Sequence, residues 1–309
     1  METMMESLFT IPIGLESQYA LFYRMAFIVG GLLVLYEGYR RNWPLCSWPI
    51  VIFTCVICGI IGSKLLVLSP ADFDPFLSDG VVPSTTKKTY LGAILGGIIG
   101  VGLIRRWLGF RHSVADAFVI AVPVALAVGR IGCLLGGCCF GTPTDLPWAI
   151  SYAGGSMPYA VHNALGLLQA GAITSVAVHP TQMYEIIACL VLIACLGAKR
   201  DAFKAPGNAF YVSVISYGIF RFMEEFIREG GVLFWGLKSV QWGLVPAVLC
   251  VTIFVLWKER RWRDQPKKQP ALTSSLCRNL TAVAGILVCL WIGRHWFTPL
   301  AMPTTLDCP

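Results

Sequence analysis

Charge is scarce in this sequence. Of 309 residues, 13% are Asp, Glu, Lys or Arg against 56% hydrophobic, and the mean hydropathy is +0.68. Soluble globular domains carry roughly 25% charged residues, so the shortage excludes that class and points to an integral membrane protein. Histidine is scarcer still, with four in the chain. Cys55 and Cys58 fall on one side of a helix, but no second pair is near them in sequence, so no zinc centre or other metal cofactor is expected. The opening stretch METMMESLFT lacks a basic leader, and the apolar segment after it is long and contains Arg24. A retained first span is therefore expected rather than a cleaved signal peptide. Internal repeats and paired broken helices are also missing, which counts against a transporter built from two related halves.

Long apolar runs are what the chain has in quantity. They occur at about 21–38, 48–68, 90–106, 113–134, 183–197, 208–227, 240–257 and 279–294. Several reach the roughly 20 residues that a helix needs to cross about 30 Å of hydrocarbon; 183–197 reaches it only with its flanks. Lipid offers no partner for an open backbone, so these runs must be helical. The expected fold is an all-α, polytopic transmembrane bundle of seven spans, with an additional C-terminal span. Residues 1–270 would form the bundle, with an outer-face insertion at about 135–182, and 271–309 the extra helix and tail. A single bundle of this size is expected to act as a monomer.

Basic residues orient the bundle. Arg40 and Arg41, then Arg105, Arg106 and Arg111, then Lys199, Arg200 and Lys204, and finally KERRWRDQPKK at 258–268 fall on one side when loops alternate. The positive-inside rule puts that side in the cytoplasm and the N-terminus outside. The net charge of +7 is then explained by loops facing anionic headgroups, and no nucleic-acid partner is implied.

This topology collects Arg130, Cys138, Cys139, His179, Arg228 and Gln241 at the outer ends of helices. The segment GRIGCLLGGCCFG, residues 129–141, places Arg130 among glycines that permit close approach of a helix or a lipid headgroup. In YGIFRFMEEFIREGG, Tyr217, Arg221, Glu224 and Arg228 recur at helical spacing, with Glu225 one turn from Arg221. That face reads either as an internal ion-pair ladder or as a support that leaves Arg228 a fork of donors for phosphate. In VHPTQMYE, Pro180 and Glu185 suit a first helical turn, while His179, Gln182, Tyr184 and Glu185 also suit a pocket wall. Lys64 either snorkels or joins the same cavity.

Several ordered motifs are similar to the prolipoprotein diacylglyceryl transferase family, over about residues 15–257. GRIGCLLGGCCFGTPTDLPWAI resembles the family's signature segment, with its arginine at Arg130 and its later glycine at Gly141. HPTQMYE resembles the family's HPSQLYE. YGIFRFMEEFIREGG with the later Gln241 resembles the region that carries an arginine pair, here Arg221 and Arg228, and LFYRMAFIVGG the first span, with its headgroup tyrosine at Tyr23. Four positions depart. Leu91, in KTYLGAILGG after Tyr90, stands where the family has a catalytically implicated histidine. Cys133 and Cys138 occupy its asparagine and glutamate positions, and Lys64 that of an arginine.

The resemblance implies phospholipid-dependent group transfer at the outer leaflet of a bacterial inner membrane, with no cofactor. A diacylglyceryl or related group would leave phosphatidylglycerol for a thiol, amine or hydroxyl acceptor, a protein cysteine among them. Arg130 and Arg228 would stabilise the phosphate, and Tyr23 and Gln241 would orient hydroxyls. Lys64, Tyr90, Cys133, Gly141, Tyr184, Glu185 and Arg221 would complete the substrate site. His179, Cys138 and Cys139 are candidates for the chemistry, the cysteines as a covalent relay, a redox pair or structural thiols. The alternatives are a phospholipid-binding protein without turnover, which Leu91 favours, and a membrane thiol oxidoreductase.

Overall fold

The computed structural model describes residues 9–12, 16–44, 46–65, 90–110, 113–199, 202–231 and 234–262. A short strand β1 (Phe9–Ile11) precedes helices α1 (Glu16–Arg40), α2 (Ser47–Leu65) and α3 (Tyr90–Trp107). A 3-10 turn at Ala115–Ala117 leads into α4 (Phe118–Gly136), followed by strand β2 (Ile150–Tyr152) and the short helix α5 (Met157–Ala164). Then come α6 (Thr181–Lys199), α7 (Asn208–Glu224) with a 3-10 extension Glu225–Ile227, and α8 (Ser239–Trp262).

Within the described residues, each of the first seven apolar runs forms a helix. Gln18–Arg40, Ala115–Gly136 and Ser239–Trp262 are long and apolar enough to cross a membrane, while Ser47–Ser63 and Thr181–Gly197 are shorter apolar helices. The run at 279–294 lies outside the described residues.

The all-α expectation needs one amendment. β1 and β2 pair in parallel, with Phe9 opposite Ile150, Thr10 opposite Ser151 and Ile11 opposite Tyr152. The cause is the 135–182 insertion, whose extended backbone must find hydrogen-bond partners in neighbouring segments. Further bridges join Pro143 and Ile150 to Val178, and Ala153 to Thr174. Phe140, Ile150, Tyr152 and Val178 make its buried core. Its helix α5 starts at Ser156, whose hydroxyl accepts the Tyr159 N–H at 3.4 Å, with a proline in the first turn.

Among the described residues the chain divides into two compact units, with boundaries after Leu33 and before Ser113. In the unit from Val34 to Phe110, α2 and α3 touch backbone to backbone. A Cβ at Gly96 would lie 2.1 Å from the Cys58 carbonyl oxygen, so only glycine permits this contact. In the same unit Trp43, Trp48 and Phe110 cluster, and the Trp48 indole donates to the Val34 carbonyl at 3.0 Å. In the other unit Val119, Leu196 and Ala209 form a core. At that end of the unit Glu259 accepts from the Lys204 and Ala205 amides and from Asn208 Nδ2, and Asp116 accepts the Gly207 amide.

Candidate active site

The site begins where α4 stops. Gly137 adopts a left-handed conformation at φ 67°, and both it and Cys138 turn their N–H groups back to the Cys133 carbonyl. Cys139 also has positive φ, 62°, an uncommon conformation for a residue with a Cβ. Beyond this turn the chain runs extended between two other segments. Gly141 N–H donates to the His179 carbonyl at 3.0 Å, His179 N–H to Thr142 at 3.1 Å, and Thr142 N–H to Ile227 at 2.9 Å. A Cβ on Gly141 would meet His179 Cβ at 2.6 Å and the Ile227 oxygen at 2.7 Å. The glycine therefore lets His179 and Arg228 flank one strand from opposite sides.

The first turn of α6 fixes the cysteine loop. Thr181 Oγ1 donates to the Cys139 carbonyl at 2.6 Å, and Gln182 Nε2 to the Cys138 carbonyl at 2.7 Å. Both side chains are fully buried, so HPTQ serves mainly as a clamp on the two-cysteine turn.

One turn further along α6, Glu185 is 1% exposed. Arg130 Nε donates to its Oε2 at 2.5 Å, Arg228 Nη1 to its Oε1 at 3.4 Å, and the Tyr217 hydroxyl to Oε2 at 2.9 Å. A buried carboxylate is stable only when paired and hydrogen-bonded, and here α4, α6, α7 and the loop after it each supply a partner or the acid. Each guanidinium has five N–H donors, and Glu185 takes one from each. Two arginines are thereby held side by side with donors left for a further anion. Their side chains are 18% and 10% exposed, so the pair is shielded without being sealed.

Arg221 is occupied differently. It forms an ion pair with Glu225 and lies 3.5 Å from Glu224, while Arg228 Nε approaches Glu225 at 3.8 Å. The ladder reading therefore describes Arg221, and Arg228 links the ladder to Glu185. Lys238 caps this end: its ammonium donates to the Glu225 carbonyl at 2.7 Å and the Arg228 carbonyl at 2.5 Å. Burial lowers the Lys238 pKa. Gln241 accepts the Lys238 amide at 2.9 Å and donates to the Phe222 carbonyl at 3.1 Å. Both of its polar ends thus serve the backbone, which makes it a brace for the Arg228 loop.

His179 and Tyr184 form a separate group. His179 Nδ1 lies 3.3 Å from the Tyr184 hydroxyl, which accepts the Trp148 indole N–H at 2.8 Å. Burial lowers the His179 pKa below its ordinary value. Tyr23 projects from α1 between the rings of Tyr19 and Phe27. α1 can lie this close to α4 because Gly132 and Gly136 face Phe22 and Tyr19. Lys64, Tyr90 and Leu91 belong to α2 and α3, but their side chains lie outside the described residues.

The thiols converge. Cys133, Cys138 and Cys139 have sulfur atoms within 4.8 Å of one another, and Arg130 Nη1 approaches Cys133 Sγ at 3.9 Å. Two residues of this cluster are not among the candidates drawn from the sequence: Lys238, and Tyr217 as a partner of Glu185. Tyr217 had a signal in its helical spacing from Arg221; the backbone capping by Lys238 had none.

Fold and site together define a helical membrane protein with a paired-arginine, thiol-lined site. The chain belongs to the prolipoprotein diacylglyceryl transferase family, whose model matches residues 7–257. It is 30% identical over 229 residues to the phosphatidylglycerol–prolipoprotein diacylglyceryl transferase of Pseudomonas paraeruginosa, covering 69% of this chain and 77% of that protein. The protein of that name from Dehalococcoides mccartyi is 30% identical over 264 residues, 79% of this chain and 96% of the relative. That of Cupriavidus pinatubonensis is 32% identical over 278 residues, 82% and 92% of the two chains. The chain is a membrane transferase of this type.

Proposed function

We propose that this protein transfers the diacylglyceryl group of phosphatidylglycerol to a cysteine thiol of a prolipoprotein at the outer leaflet, with its N-terminus outside. The thiolate sulfur attacks the terminal glycerol carbon, the carbon–oxygen bond to phosphate breaks, and glycerol phosphate leaves with the electron pair. Donor and acceptor are those that the relatives' names specify. The observation that carries the reading is the shared carboxylate. Arg130 and Arg228 meet at Glu185 with unused donors, so charge gathering on the departing phosphate meets groups already in place.

The thiol proton needs an acceptor, and Leu91 cannot be one. His179 fills the role. Burial lowers the pKa of its imidazole, and its backbone pairs with Gly141 and Thr142, across from Arg228. Tyr184 orients the ring. Purified protein, phosphatidylglycerol vesicles and a prolipoprotein signal peptide test the proposal: glycerol phosphate and lipidated peptide should appear in equal amounts. A lipid-binding role without turnover predicts saturable phosphatidylglycerol binding and neither product.

A further inference from the structure

The proposed transfer gives no task to the convergence of Cys133, Cys138 and Cys139. Their sulfur atoms lie within 4.8 Å of one another, all three residues are part-buried, and all are present as thiols. A divalent ion with metal–sulfur bonds of about 2.3 Å places its thiolates roughly 3.8–4.0 Å apart. The observed spacing therefore closes onto an ion with movements of under about 1 Å per sulfur.

Local geometry holds the thiols in that arrangement. The left-handed turn at Gly137 folds the chain back over the last turn of α4, where Cys133 lies. Cys139 keeps positive φ, and Thr181 and Gln182 hold the carbonyls of both turn cysteines. The charges match as well. Three thiolates and a divalent ion carry one net negative charge. The two guanidinium groups beside the cluster, Arg130 at Cys133 and Arg228 at Cys139, share one carboxylate and carry one net positive charge. A monovalent ion would leave the cluster negative; a divalent ion brings it to neutrality.

We infer that Cys133, Cys138 and Cys139 form a trithiolate site for one thiophilic divalent ion of the zinc and cadmium class. Binding replaces the sulfur–hydrogen bonds with metal–sulfur bonds and releases the thiol protons to solvent. Three protein ligands leave a fourth coordination position on such an ion. An incoming thiol bound there would lose its proton outright. That last consequence rests on the transfer reading above; the ion site does not.

The test uses the full-length protein in detergent micelles, reduced and stripped of metal, titrated with cadmium. Thiolate-to-cadmium absorption in the ultraviolet gives stoichiometry and affinity, and X-ray absorption at the metal edge counts sulfur neighbours without any mutation. One ion per chain with at least three sulfur neighbours is expected. Cys133→Ser, Cys138→Ser and Cys139→Ser should each weaken binding by at least about tenfold, since loss of even an outer-shell partner costs about 10–100-fold. Cys195→Ser, at an exposed position of α6, should leave binding unchanged. Cadmium without three sulfur neighbours in the wild type, or affinity unchanged in the three serine variants, would overturn the site. Neither readout involves lipid transfer, so a failed transfer assay and a failed metal titration remain distinguishable.

Discussion

Arg130 and Arg228, 98 positions apart in sequence, donate to different oxygens of one buried carboxylate, that of Glu185. The acid acts as a template. It draws a guanidinium from α4 and one from the loop after α7 into a single cluster, and the Tyr217 hydroxyl completes its coordination. Two adjacent guanidinium groups would repel one another without it.

Removing the template should therefore be costly. Glu185→Ala leaves two buried guanidinium groups without their shared partner, and loss of one member of a buried ion pair costs about 3–5 kcal/mol. A lower melting temperature in micelles is expected, with loss of phosphatidylglycerol binding. Glu185→Gln keeps the shape and one acceptor oxygen, so it should fold better than the alanine variant and still bind lipid poorly.

Gly141→Ala tests the weave of three extended segments. The added carbon meets His179 Cβ and the Ile227 carbonyl, neither of which can swing aside. Overpacking of this kind costs roughly 1–3 kcal/mol. The expected result is a destabilised protein whose His179 and Arg228 segments exchange amide hydrogens faster than in the wild type.

Lys238→Met probes the brace. The ammonium satisfies the carbonyls of Glu225 and Arg228, and each carbonyl left buried and unpaired costs about 1–3 kcal/mol. Because the lysine acts through the Arg228 loop, the variant should weaken phosphatidylglycerol binding more than it slows turnover at saturating lipid. An unchanged KM would remove its positioning role.

Acid should destabilise the fold through two histidines. Burial lowers the pKa of both His179 and His162, and neither His162 ring nitrogen has a partner among the described residues. A histidine with a lowered folded pKa binds its proton more readily when unfolded, so stability falls as pH drops below the unfolded value of about 6.5. Melting temperatures should decline between about pH 6.5 and 5. His162→Leu should flatten that decline; a decline of undiminished slope would exclude His162 as a source.

The legible parts of this molecule were those written in single segments. Hydropathy located α1 at 21–38 against the observed 16–40, because a membrane helix is specified by its own residues. The signature, HPTQ and arginine motifs located the cluster, because each is contiguous. What escaped depends on how segments cross. Nothing in the spacing of Arg130 and Glu185 announces that α4 and α6 bring them together. The three-residue pairing of β1 with β2 is too short to leave a period in the sequence. Gln241 looked like a group for lipid hydroxyls, and its bonds to Lys238 and Phe222 exist only once α8 folds back on α7. The thiol cluster was hidden by Gly137, whose left-handed turn sets Cys138 and Cys139 beside Cys133.

The central claim is that Arg130 and Arg228 act together on one lipid phosphate. Glycerol phosphate release from phosphatidylglycerol, measured for Arg130→Ala, Arg228→Ala and the double variant with a thiol acceptor present, tests it most directly. Each single variant should lose roughly 100- to 1,000-fold in rate, as removal of one preorganised donor to a developing anion does. The double variant should lose far less than the product of the two. Wild-type rates in both single variants would contradict the account.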